Sequence, residues 1–174
     1  MDRFSGSRGL ACGAGASLDT SAGRSYSRPS MDFLLARPPS RTLPFIYEDL
    51  GLEVVAAALR SAGFGCRIDD GVQHPATFGE YVERLARAPE RIVGLTLHAE
   101  TLADAHLRLL ANLKRVAPEK VVVVGGHPVA AIAAEVAMKY PHAYDVLVLG
   151  DGDQTAVELA RHWSCGSPPL DRIA

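Results

Sequence analysis

Three short stretches constrain this chain more than anything else in it: RIVGLTL (Arg91–Leu97), VVVV (Val121–Val124) and DVLVL (Asp145–Leu149). Each is an almost unbroken apolar run, rich in β-branched residues and too short for a helix of ordinary length. A strand with one face in water alternates apolar and polar residues. A strand that does not alternate has both faces covered, the condition of a parallel sheet with helices on either side. Between and before these runs, apolar residues recur at spacings of three and four, the period of an amphipathic helix.

The rest of the pattern fits the same alternation. Asp32–Ala36 (DFLLA), stopped by Pro38-Pro39, reads as strand one. Asp49–Ala62 reads as a helix with Leu50, Val54, Val55, Ala58 and Leu59 on its inner face, ended by Gly63. Gly65–Asp69 is strand two. Thr77 and Glu80 form a capping box opening a helix to Arg87, with Phe78, Tyr81, Val82 and Leu85 inward. Leu102–Val116 carries Leu102, His106, Leu109, Leu110 and Leu113 on one stripe, and Val129–Tyr140 follows through Ile132 and Val136. Thr155 and Glu158 suggest a second capping box, with the last helix ending near Trp163. Five strand–helix units predict an α/β fold: a doubly wound, five-stranded parallel sheet of the Rossmann-like or flavodoxin-like kind, with strand order 2-1-3-4-5.

Composition narrows the function classes. The chain has 174 residues, 48% hydrophobic and 22% charged, which suits one globular α/β domain. Residues 1–30 are rich in Gly, Ser and Arg without an apolar period and read as a disordered tail or a misassigned start before Met31. The domain is expected over 31–163, with 164–174 a linker-like tail. A net charge of -2 and 6% aromatic residues argue against nucleic acid or an anionic membrane as partner. The 3 cysteines, Cys12, Cys66 and Cys165, form no C-x-x-C pair, so a zinc ribbon or a self-contained iron–sulfur site is not expected. A reducing, cytoplasmic setting fits that usage, and no apolar run is long enough to span a bilayer.

In such sheets ligands bind beyond the carboxyl ends of the strands, near the point where strand order reverses. The loops on that edge are Arg37–Ser40 leading to Leu50-Gly51, then Thr96–Thr101, Gly125–Pro128 and Gly150–Asp153. Several are cleared of side chains, which allows close approach of a bulky ligand. Known nucleotide signatures are missing: there is no G-x-x-x-x-G-K-[ST], and the first turn has no G-x-G-x-x-G. His98, Glu100, His127, Asp151 and Asp153 could in principle meet at a metal, but no ligand spacing of a known site joins them. They are read as loop polar residues; no metal site and no catalytic residue is assigned. His74 is read as solvated, Asp69-Asp70 as a turn and Cys66 as a buried strand residue.

Residues 31–174 resemble the cobalamin (B12)-binding domain found at the N-terminus of many cobalamin-dependent radical SAM enzymes. Four stretches carry the resemblance: Leu50-Gly51-Leu52 with Val55–Gly63, Val93-Gly94-Leu95-Thr96, Val124–Pro128, and Leu149–Thr155. The last is similar to a G-E-G-E-x-T segment with Asp151 and Asp153 in place of Glu. The resemblance implies a corrin ring over the carboxyl edge of the sheet and a nucleotide tail in a crevice beside it. It assigns cofactor binding to Leu50, Gly51, Thr96, His98, Glu100, Thr101, Gly125, Gly126, His127, Gly150, Asp151 and Gly152. Gly125-Gly126 would leave room for the tail, with His127 a neighbour of the site.

Departures qualify what it implies. The Asp-x-His-x-x-Gly that ligates cobalt in cobalamin mutases is missing, so cobalamin is expected without a His from the first loop. A Pro-Pro before Leu-Gly is replaced by Glu48-Asp49. No C-x-x-x-C-x-x-C occurs, so the chain alone is not expected to catalyse. The expected role is a cobalamin-binding protein, standing alone or holding the cofactor for a separate radical SAM chain in methyl transfer. Two rivals remain at this point: a degenerate module that has lost cobalamin and acts in interaction or regulation, and an enzyme of another doubly wound family using His98, His127 and Asp151.

Overall fold

The structure is a computed structural model that describes residues 33–39, 49–74, 76–97 and 100–164, with the side chains of 100–102 outside the description. Of the expected tails, 1–30 and 164–174, only Ser164 is described, as the last residue of the final helix; the loop 40–48 also lies outside the described residues. Five strands and five helices alternate: β1 Phe33–Arg37, α1 Leu50–Ser61, β2 Cys66–Asp70, α2 Phe78–Arg87, β3 Ile92–Thr96, α3 Glu100–Val116, β4 Val121–Gly125, α4 Val129–Lys139, β5 Val146–Leu147 and α5 Gly152–Ser164. The sheet is parallel throughout and its order is β2-β1-β3-β4-β5, the topology expected from the apolar runs.

Register divides the strands into two faces. Leu34 pairs with Val93, and Val93 with Val122; Ala36 pairs with Leu95, and Leu95 with Val124. These residues point to one side and join Tyr81, Val82 and Leu85 of α2, Leu107, Leu109, Leu110 and Leu113 of α3, and Val129 and Val136 of α4 in the main core. The alternate positions, Phe33, Leu35, Ile92 and Val123, point to the other side, where α1 and α5 lie. Area removed from water stabilises each fully buried Leu or Val by roughly 1.5–3 kcal/mol, so the main core dominates the fold's stability.

Local chemistry explains the element ends. Asp49 caps α1: its carboxylate accepts from the Leu52 amide at 3.2 Å. That gives one of the two residues replacing Pro-Pro a structural purpose. Thr77 and Glu80 make the expected reciprocal capping box on α2. The buried Tyr81 hydroxyl donates to the Arg37 carbonyl at 2.9 Å, with the Asp69 carbonyl 3.1 Å away, so α2 ties down the carboxyl ends of β1 and β2. Burial pushes the Tyr81 phenol well above its ordinary range. Asp70 then turns the chain, its carboxylate accepting from the Val72 amide at 2.9 Å.

Several expectations need correction. The inner face of α1 is Leu52, Ala56 and Leu59; Leu50 and Val54 are 69% and 56% exposed. The rows i, i+4 and i+7 starting at 50 and at 52 are both apolar, and only packing against Leu35 chooses between them. Phe78 is likewise 40% exposed at the start of α2. β5 keeps only two of its five expected residues, because it is an edge strand pairing solely with Val123 and Val124. Thr155 is not a cap: α5 begins at Gly152, and the Thr155 hydroxyl donates to the Asp151 carbonyl at 3.4 Å from inside the first turn. Cys66 is half-buried on β2, and burial pushes its thiol up to about 11. His106 is buried, as its stripe on α3 implied, and meets Phe78 edge-on at 6.2 Å.

Candidate functional site

On the α1/α5 side the sheet is not fully covered. Gly94 stands in the middle of β3, in register between Leu35 and Val123, and Thr96 pairs with Gly125. Two positions of this face therefore have no side chain. The gap opens into a cavity of about 460 Å³ bounded by the sheet, the first turns of α1 and the start of α5. That volume is in the range of small-molecule and cofactor sites.

The mouth is at the carboxyl edge. Gly51 of α1, Thr96 ending β3, Gly125 and Gly126 ending β4, His127, and the Gly150-Asp151-Gly152 turn into α5 all line it. Eight of the residues expected from sequence are thus brought together on one wall. Leu50 is not among them: it opens α1 with its side chain directed to solvent. His98 lies outside the described residues, and so do the side chains of Glu100 and Thr101, whose backbone opens α3.

The glycine pair has two separate causes. Gly126 adopts φ +116°, and a Cβ there would stand 2.3 Å from the Leu97 carbonyl oxygen and 2.9 Å from the Leu97 nitrogen. Its own chain requires it to be glycine, whatever binds. Gly125 is different: a Cβ there would meet Val148 at 3.7 Å, an ordinary contact. Gly152 is similar, with Val55 at 3.5 Å. At both, the fold would accept a methyl group, which would take space from the cavity. Room for a ligand accounts for these two and only in part for Gly126. Gly150, at φ +92°, forms the turn out of the last strand.

Deeper in, the wall is Phe33, Leu35, Val55, Val123, Ala156 and Leu159. The sequence signal for this floor was Gly94, a glycine inside a strand, which marks close approach of another group. Which alternate residues face the same way as Gly94 follows from register, and that became visible only with the sheet assembled.

Chemically the cavity is an apolar slot with a polar rim. His127 is exposed at the rim, as is Asp151. Among the described residues no group of three or more His, Cys, Asp and Glu side chains is placed to hold a metal ion. The ion pairs that tie the surface lie elsewhere: Asp104 on α3 binds Lys139 of α4 at 2.7 Å, and Arg67 of β2 binds Glu90 at 2.8 Å. The result is a cleft opening at the carboxyl ends of β3, β4 and β5, floored by apolar side chains of β1, β4 and α5 and bounded by α1 and α5.

Comparison with known proteins agrees. Residues 37–160 match the model of the B12 binding domain family. An uncharacterized methyltransferase of Pyrococcus horikoshii is 28% identical over 141 residues, which span 78% of this chain and 30% of that protein. The radical S-adenosylmethionine methyltransferase TsrM from Kitasatospora setae, solved with cobalamin and a [4Fe-4S] cluster bound, superposes with a TM-score of 0.68 at 21% identity, over 80% of this chain and 27% of that one. A cobalamin-binding protein from Desulfitobacterium hafniense superposes with a TM-score of 0.57 at 18% identity, over 78% and 60% of the two chains. At these identities the two superpositions establish the fold, while the family model reaches further.

Proposed function

This chain belongs to the B12-binding domain family, and on that premise we propose that it holds cobalamin for a methyl-transfer reaction carried out with a radical SAM catalytic unit. Cobalamin is the cofactor. The observation that carries its placement is the pair Gly125 and Gly152, glycines that the chain's own packing does not demand and whose missing side chains make the slot. Bound there, cobalamin supplies a cobalt centre that can accept and give up a methyl group. Gly51, Thr96, Gly125, Gly126, Gly150, Asp151 and Gly152 would form the walls that admit its nucleotide tail, with His127 at the rim beside them. Leu35, Val123 and Leu159 exclude water from the depth of the slot, which strengthens packing against an apolar ligand.

The radical SAM partnership rests on resemblance: similar domains occupy about a third or less of larger methyltransferase chains. Two experiments test the reading in turn. Purified protein is mixed with hydroxocobalamin, desalted and scanned in the visible; one equivalent of retained corrin is expected, and none would overturn the cofactor placement. The loaded protein is then chromatographed with a candidate radical SAM protein of its own organism. Co-elution is expected, and independent elution would remove the partnership while leaving cobalamin binding intact.

A further inference from the structure

The slot's polarity is graded, and the gradient has a consequence for which corrinoid it takes. Its polar side chains, Thr96, His127 and Asp151, all lie at the carboxyl edge. Its floor is Phe33, Leu35, Val123, Ala156 and Leu159, with Phe33 and Leu159 only 3% and 2% exposed. Phe33 is backed by Trp163, their ring centres 6.4 Å apart, so the floor is firm. The backbone of β1, β3 and β4 is engaged in the parallel ladder, and that of α5 in its own helix. Among the described residues, then, the floor offers an inserted group neither a donor nor an acceptor.

Corrinoids share one macrocycle and differ in the base on the nucleotide tail. In 5,6-dimethylbenzimidazole the six-membered ring carries two methyl groups and no nitrogen. In adenine it carries two nitrogens and an exocyclic amine. Placing the first against this floor buries methyl groups. Placing the second buries three polar groups with no partner, each of which loses its hydrogen bonds to water.

Resting on the cobalamin reading above, we propose that the floor of Phe33, Leu35, Val123, Ala156 and Leu159 selects a dimethylbenzimidazole-bearing corrinoid over one that carries adenine. Val123 and Leu35, which flank the gap at Gly94, are the specificity-determining residues.

The test is equilibrium binding of three compounds to the full chain, followed by absorbance: hydroxocobalamin, its adenine-base counterpart, and cobinamide, which has no nucleotide. One unsatisfied buried polar group already weakens binding by about tenfold, so cobalamin should bind at least about tenfold tighter than the adenine form. Cobinamide should bind more weakly than cobalamin. Val123→Thr puts a hydroxyl on the floor at nearly constant size and should narrow the ratio between the two bases; Ala156→Ser does the same from the helix side and serves if the first variant unfolds. Affinities for the two bases within about twofold of each other, in protein that binds both, would overturn the selectivity and leave cobalamin binding standing. Failure to bind any of the three would overturn the cobalamin reading itself, and this inference with it.

Discussion

One sheet carries two faces of different construction. Toward α2, α3 and α4, the strand positions read Leu34, Ala36, Val93, Leu95, Val122 and Val124, all buried and closed over by helix side chains such as Leu107, Leu110 and Leu113. Toward α1 and α5, β3 and β4 read Ile92, Gly94, Thr96, then Val121, Val123, Gly125. The first face is filled at every step. The second loses its side chains as it nears the carboxyl edge, and the cavity begins where they stop. Substitutions should therefore separate into those that cost stability and those that cost binding.

The sharpest stability effect belongs to the filled face. Leu110 is fully buried on α3, and Leu110→Ala should destabilise the fold by roughly 2–5 kcal/mol, read from the urea unfolding midpoint. Cobalamin affinity per folded molecule should not change. A parallel loss of affinity would mean that the two faces are coupled.

Gly126 sits where the faces meet. Gly126→Ala places a Cβ against the Leu97 backbone at a positive φ, so it should cost about 2 kcal/mol or more and weaken cobalamin binding at the same time. A fully stable Gly126→Ala protein would contradict the strain assigned to this residue.

The smallest effect is expected from an ion pair on neither face. A hydrogen bond from Arg67 holds the Glu90 carboxyl below its usual range, so its contribution is present above about pH 4.5 and is lost as pH falls through the lowered folded value. Arg67 is half-exposed, so Arg67→Met should cost about 1 kcal/mol or less at neutral pH and flatten the acid side of the stability profile. An unchanged acid limb would show that the pair contributes nothing.

Much of this division could be read from the chain before the sheet was seen. The unbroken apolar runs fixed the parallel topology, because only doubly covered strands read that way. The glycines after β4 and β5 marked the mouth of the cavity. What the residues could not settle were choices made by tertiary contact. Two apolar rows on α1 compete, and Leu35 selects the one through Leu52 and Ala56. Thr155 has the spacing of a capping box, yet the helix starts three residues earlier at Gly152. Gly125 and Gly126 look alike in sequence; only the position of the Leu97 carbonyl separates a glycine the backbone needs from one the cavity needs.

That separation gives the most direct test. Gly125→Leu should fill the slot while leaving the filled face untouched. Hydroxocobalamin titration of the wild-type and variant proteins, each with its urea unfolding curve, measures both properties at once. The expected result is one equivalent of corrin bound by the wild type and none detectable in Gly125→Leu, with the two unfolding midpoints alike. Equal binding by the two proteins would contradict the assignment of this crevice to the cofactor's tail.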